Sequence, residues 1–134
     1  MVRWPRQFEV YLVSLAPIVG HEISKTRPCL VVSPDEMNRR LSTNIIAPMT
    51  STLRTYPTRV TLEFQSKRGQ IALDQIRAVD RLRLVKHLGS IDSDTGLAVL
   101  STLQRMFAPH QQGSPGLVAK KSYLHEPRPR YGET

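Results

Sequence analysis

The segment Gly20-His21-Glu22-Ile23-Ser24-Lys25-Thr26-Arg27-Pro28 places an imidazole, a carboxylate and a guanidinium on one loop between two apolar runs, 8–15 and 29–33. Base, acid and cation on a single connector are what phosphodiester cleavage without a metal requires. If a ribose 2′-OH is the internal nucleophile, one group must take its proton. Another must place positive charge where the phosphorane gains negative charge, and a donor must reach the leaving 5′-oxygen. Arg27 suits the charge-stabilising role, because a guanidinium is always ionised and offers paired N–H groups to a phosphate. Glu22 or His21 could serve as base. Adjacent residues of an extended segment point apart, so one of the two is expected to face the phosphate. The plainer alternative is a polar loop in which Glu22 pairs with Lys25 or Arg27 and His21 is solvated.

Other residues could extend such a site. Thr50 and Ser51 follow Pro48-Met49 at the end of an apolar run; they could bind phosphate, or satisfy their own turn. Asp74 could hold a loop, and Gln75 could read a base edge. Arg77, Arg81, Arg83 and Lys86 form a basic run broken by Asp80, either a phosphate track or a solvated face. Tyr11, Tyr56 and Phe64 are possible stacking surfaces for unpaired bases. Aromatic residues are only 6% of the chain, however, and a core needs some of them.

Positioning these groups is a task for strands. Residues 8–13, 29–33, 44–47, 59–64, 69–73, 74–79 and 85–88 are β-branched or aromatic runs, several alternating with period two. Pro34 stops the second and Pro48 the third. A turn at Gln65–Arg68 makes a hairpin of the fourth and fifth. Many short strands with polar turns predict a mainly β barrel or sandwich. One helical turn is expected at Pro34–Arg39. A longer helix is predicted over Asp94–Phe107, capped by Ser93, with Leu97, Leu100, Leu103 and Phe107 on its inner side.

The chain has 134 residues, enough for one domain with a modest core, and its formal net charge is +8. The tail from Pro109 is Pro-rich and holds four Lys/Arg and two Glu. That leaves 15 basic and 9 acidic residues in the body, so the positive charge belongs to the folded part. Such a balance points to a polyanionic partner. The predicted organisation is a domain at 1–108 and a flexible basic tail at 109–134. No apolar run approaches the roughly 20 residues of a membrane span, and no signal peptide is expected, so a cytoplasmic protein is. Cys29, the single cysteine, lies in an apolar run and reads as a buried inert thiol. The four histidines have no metal-ligand spacing, and no metal or cofactor is expected.

Taken together, the segments resemble MazF/PemK-family toxins over roughly residues 8–107. The resemblance is carried by Glu9–Pro17, Gly20-His21-Glu22, Lys25–Pro34, Met37-Asn38-Arg39, Ala47-Pro48-Met49-Thr50-Ser51 and Gly69–Asp80. It implies a homodimer of small SH3-like antiparallel barrels with a C-terminal α-helix. It also implies a metal-independent endoribonuclease that cuts single-stranded mRNA at a short sequence and leaves a 2′,3′-cyclic phosphate (or 3′-phosphate) and a 5′-hydroxyl. The implied partner is a cognate antitoxin whose acidic segment fills the RNA groove.

By position, Arg27 and Thr50 match the family's catalytic pair, with Glu22 on the active loop. His21 and Asp74 match groups of its PemK branch. Glu9, Ser51 and Gln75 match RNA-contacting positions, and Lys25 and Arg77 are further cationic candidates. One departure stands out: the PemK branch carries an Arg two residues before the Asp, and here that residue is Ala72. The departure shifts the expected chemistry toward Arg27 with Thr50, with Arg77 as a partial substitute. It also keeps a catalytically impaired RNA-binding barrel open; the other alternative is a non-enzymatic gyrase-binding toxin of the CcdB kind on the same barrel.

Overall fold

The computed structural model describes residues 4–16, 20–21 and 25–109. Glu22 and residues 110–134 of the predicted tail lie outside the described residues.

Among the described residues, seven strands make one antiparallel sheet: β1 (Glu9–Ser14), β2 (Thr26–Val31), β3 (Thr43–Thr50), β4 (Arg59–Phe64), β5 (Lys67–Ala72), β6 (Arg77–Asp80) and β7 (Leu84–Ser90). Helix α1 (Asp35–Arg40) links β2 to β3, and helix α2 (Ser93–Met106) follows β7. The strand order is β4-β5-β3-β2-β1-β7, with β6 also on β3. The sheet curls until the β4–β5 turn meets β7, where the Gln65 amide donates to the Leu88 carbonyl at 3.0 Å. The predicted mainly β, barrel-like architecture with a C-terminal helix is therefore the observed one.

Burial on both faces explains the near-continuous apolar runs. In β2, Leu30 joins Val10, Ala47, Met49, Ile71, Leu73 and Val99 beneath α2, while Cys29 and Val31 join Val13, Leu15, Ile46 and Val79 on the other face. Burial pushes the Cys29 thiol up to about 12 against the downward pull of Arg27 and Arg77, which fits an inert core residue.

β3 is longer than predicted because Pro48 does not stop it. β3 pairs with β6 through Thr43–Ile46 and with β5 through Met49–Thr50. Between those partners this edge of β3 is unpaired at Ala47 and Pro48, where a residue without N–H can stand. The hairpin turn is also tighter than the predicted Gln65–Arg68. Gln65 and Ser66 both have positive φ, 52° and 65°, as a two-residue turn matched to strand twist requires.

The strand expected over 74–79 is broken by a 3-10 turn at Leu73–Gln75. Leu73 is fully buried and Asp74 is held by the next strand over, so the chain turns there from β5 toward β6. The predicted helix is found with two corrections. Its cap is Asp92, whose carboxylate accepts from the Thr95 N–H at 2.9 Å, rather than Ser93. Its inner face is Gly96, Val99, Thr102, Leu103 and Met106, so Leu97 and Phe107 are 65% and 71% exposed. Gly96 sets this rotation, since the Phe8 ring lies against it where any side chain would stand.

The basic run is largely structural. The Arg81 guanidinium donates to the Asn38 and Leu41 carbonyls at the end of α1. Arg83 donates to Ser14 and Ala16, and Arg77 to Leu15 at 3.3 Å. Carbonyls left over at strand and helix ends take up these cations, which leaves Lys86 as the exposed member of the run. Among the described residues, no helix is long and apolar enough to cross a membrane.

Candidate active site

Arg27 and Thr50 are brought together by strand pairing. β2 and β3 pair from Val31–Ile46 to Cys29–Pro48, so the chain just beyond that ladder carries Arg27 and Thr50 to one end of the pair, where both line the same cleft. The Arg27 guanidinium also donates to the Met49 carbonyl at 3.2 Å, which anchors it at the end of β3. Gly69 of β5 is the third support. A Cβ there would lie 2.8 Å from the Thr50 carbonyl oxygen, so only glycine lets β5 pass this close.

Two clefts meet at Thr50. The first, of about 330 Å³, is lined by Arg27, Thr50, Ser51, Lys67, Arg68 and Gly69, with apolar floor from Leu62 and Phe64. Among the described residues, three cations and no carboxylate line it, so their field favours an anion. The second, of about 400 Å³, is lined by His21, Thr50, Arg54, Tyr56, Arg59, Asp74 and Gln75.

The predicted residues thus divide. Arg27 and Ser51 share the first cleft, His21, Asp74 and Gln75 share the second, and Thr50 belongs to both. Lys25 is exposed at positive φ, 70°, with its carbonyl accepting from the Leu15 N–H; it lines neither cleft. Nor does Arg77. Glu9 sits at the other end of β1, where its carboxylate accepts from the Arg6 N–H at 2.7 Å and the Tyr11 hydroxyl at 3.2 Å, and faces His87 at 3.4 Å.

Asp74 is tightly held. Arg59 donates to it through Nε at 2.7 Å and Nη2 at 3.2 Å, and the Thr58 hydroxyl donates at 3.0 Å. Partial burial alone would raise its carboxyl. The hydrogen bonds from Arg59, its own backbone and Thr58 outweigh that and hold it below the usual carboxylate range. Asp74 is thus an ionised acceptor at neutral pH.

Arg59 was not singled out by the sequence. The β4–β5 register places it opposite Ala72, so the guanidinium beside Asp74 comes across from the neighbouring strand. Reading the turn as two residues would have given that register. Gln70 was missed too. Its buried amide exchanges two 2.9 Å hydrogen bonds with the Arg54 main chain and pins the loop that walls the second cleft.

A curled sheet with a cationic cleft, an arginine–hydroxyl pair at its edge and a polar second pocket defines a small barrel that handles a polyanion. Residues 6–107 match the profile of the PemK-like, MazF-like toxins of type II toxin–antitoxin systems, and the chain belongs to that family. The chain is 33% identical over 92 residues to the endoribonuclease EndoA of Bacillus subtilis (strain 168), covering 64% of this chain and 79% of that one. It is 39% identical over 77 residues to the endoribonuclease PemK of Escherichia coli, covering 54% and 58%. Its structure superposes on MazF from Deinococcus radiodurans with a TM-score of 0.71 at 27% identity, covering 81% of this chain and all of that one. A MazE–MazF complex from the same organism matches with a TM-score of 0.67, also at 27% identity, over 81% of this chain and 100% of the matched one.

Proposed function

We propose that this chain is the toxin of such a pair, an endoribonuclease that cuts single-stranded RNA at the cleft shared by Arg27 and Thr50. The observation that carries the reading is that both line one cleft whose described residues include three cations and no carboxylate.

The scissile phosphate lies over Arg27, whose N–H groups meet the charge that develops on the phosphorane oxygens. The Thr50 hydroxyl, at the rim of both clefts, donates a further hydrogen bond to that group. The ribose 2′-OH attacks as internal nucleophile and the 5′-oxygen leaves, so the reaction needs no metal and no covalent enzyme intermediate. His21 or Glu22 takes the 2′-OH proton, and the leaving 5′-oxygen takes a proton from water in the open cleft to become the 5′-hydroxyl. Asp74, ionised and held by Arg59, accepts hydrogen bonds and does not serve as proton donor. Lys67, Arg68 and Ser51 track the backbone of the strand, and Gln75 contacts a base. A homodimer of such subunits, acting in the cytoplasm, is held inactive by an antitoxin whose acidic segment fills the same cationic cleft. The endoribonuclease names of EndoA and PemK and the MazE–MazF complex support this reading.

The test is to incubate purified protein with a long mixed-sequence RNA in EDTA and map the new 5′ ends. Defined cuts are expected, and Arg27→Ala should slow them by roughly 10²–10³-fold, the usual effect of removing one preorganised donor to a developing oxyanion. Intact RNA with wild-type protein rejects the activity. Wild-type rates with Arg27→Ala remove Arg27 from the mechanism.

A further inference from the structure

The second cleft has a built interior of its own. Arg59 opens β4 opposite Ala72, whose methyl leaves room for the guanidinium to cross to Asp74 at the following turn. The Arg59 side chain is only 7% exposed, so the paired carboxylate is fixed before any ligand arrives. Asp74 is 30% exposed and forms part of the cleft wall. Its Oδ1 accepts from Arg59 Nε and Thr58, whereas Oδ2 accepts from Arg59 Nη2 at the longer 3.2 Å. A carboxylate oxygen has two lone pairs, so Oδ2 keeps acceptor capacity in a side chain that lines the cleft. Beside it, the Tyr56 ring stacks on the same guanidinium at 5.1 Å while remaining 49% exposed. A flat aromatic surface next to a fixed acceptor, in a volume within the range of small-ligand sites, is the composition of a base pocket.

We propose that the cleft between Thr50, Tyr56 and Asp74 is a nucleobase subsite that selects bases bearing an exocyclic amine and disfavours uracil, with Arg59 as the positioning residue for its carboxylate. The inference rests on RNA being the substrate. Cytosine, adenine and guanine each present an exocyclic N–H₂ on the Watson–Crick edge. Uracil presents carbonyl oxygens on both sides of N3–H, and these repel an ionised carboxylate. Because Thr50 walls both clefts, the selected base belongs to a nucleotide next to the scissile phosphate. Tyr56 supplies stacking to any base, so the discrimination comes from Asp74.

The competing role is purely structural: Arg59 and Asp74 would staple the hairpin to the 3-10 turn and read nothing. Cleavage maps on random-sequence RNA with wild type, Asp74→Asn and Arg59→Lys separate the two. Wild type should disfavour uracil by at least roughly tenfold at one position within two nucleotides of the cut, as expected for a hydrogen bond to a charged group. Asp74→Asn, whose amide can donate to a uracil carbonyl, should bring that ratio near one and leave the preference at other positions unchanged. Arg59→Lys keeps the charge but loses the fork, and should relax the same position. For a variant too slow to map, fluorescence anisotropy on an RNA carrying a 2′-deoxy nucleotide at the mapped cut, with and without uracil at the selected position, gives the same ratio.

Uniform slowing with every preference intact assigns the pair to structure and overturns the subsite alone. So does uracil tolerated at all positions near the cut by wild type. A wild-type protein that cuts nothing rejects the parent activity, and the subsite with it.

Discussion

The Arg59–Asp74 pair is a cross-strand clamp whose strength can be worked out and measured. Arg59→Met keeps most of the side-chain bulk beneath Tyr56 and removes both donors to the carboxylate. Two hydrogen bonds to a charged group would be worth about 1.5–3 kcal/mol each if fully buried. Asp74 is 30% exposed, and water screens and competes for its open edge. After that discount the expected coupling is about 1–2 kcal/mol. The assay is a double-mutant cycle of wild type, Arg59→Met, Asp74→Asn and the double variant, read by urea unfolding. The pH dependence has a definite sign. Partial burial pushes the Asp74 carboxyl up, and the hydrogen bonds from Arg59, its own backbone and Thr58 pull it further down, so its folded pKa is depressed. The coupling is therefore complete above the unfolded value of about 4 and is lost as pH falls through the lower folded value. A cycle at pH 7 should show the full coupling, and cycles at successively lower pH below the unfolded value should show it decline. Coupling below about 0.3 kcal/mol at pH 7, or coupling that does not fall in acid, would refute the clamp.

Three further changes test how the site is supported. Gly69→Ala drives a Cβ to 2.8 Å from the Thr50 carbonyl oxygen, so stability should fall by about 1–3 kcal/mol and RNA cleavage with it; unchanged unfolding and rate would contradict the close approach. Gly96→Ala places a Cβ 2.6 Å from the Phe8 ring; overpacking of about 1–3 kcal/mol should outweigh the roughly 1 kcal/mol gained in helix propensity, and a raised Tm would contradict this. Arg68→Ala removes one cation from the first cleft, so the slope of log binding constant against log salt for a single-stranded RNA should shrink by about 0.7, and an unchanged slope would exclude a phosphate contact.

Much of the fold was legible because burial dictates alternation. The runs at 8–13 and 59–64 became β1 and β4, and the helix after Ser93 was found within a residue of its start; β2 starts earlier than the run at 29–33, at Thr26, so Arg27 stands on a strand rather than on the expected loop. What escaped depends on long-range geometry. Pro48 reads locally as a strand stop, but it stands in a gap between two partners of one strand, which no local window reveals. The face of α2 was misassigned because leucines were counted as inward, whereas the small residue Gly96 sets the contact with Phe8. At the site, Arg27 and Thr50 were legible by type and position. Their shared cleft is a product of strand pairing, since they are 23 residues apart in the chain and lie just beyond the end of the β2–β3 ladder. Arg59 was hidden for the same reason. Arg77 does not line the cleft that holds Asp74, and the guanidinium bonded to Asp74 belongs to Arg59 on the strand alongside.

Chemistry at the Arg27–Thr50 cleft is tested most directly by the ends of the RNA fragments. After cleavage by purified protein in EDTA, the account predicts a 5′-hydroxyl that must be phosphorylated before ligation and a 2′,3′-cyclic phosphate on the upstream piece. It also predicts no cutting when the nucleotide 5′ of the cut lacks its 2′-OH. Fragments bearing 5′-phosphates, or cleavage of the 2′-deoxy substrate at an undiminished rate, would contradict it.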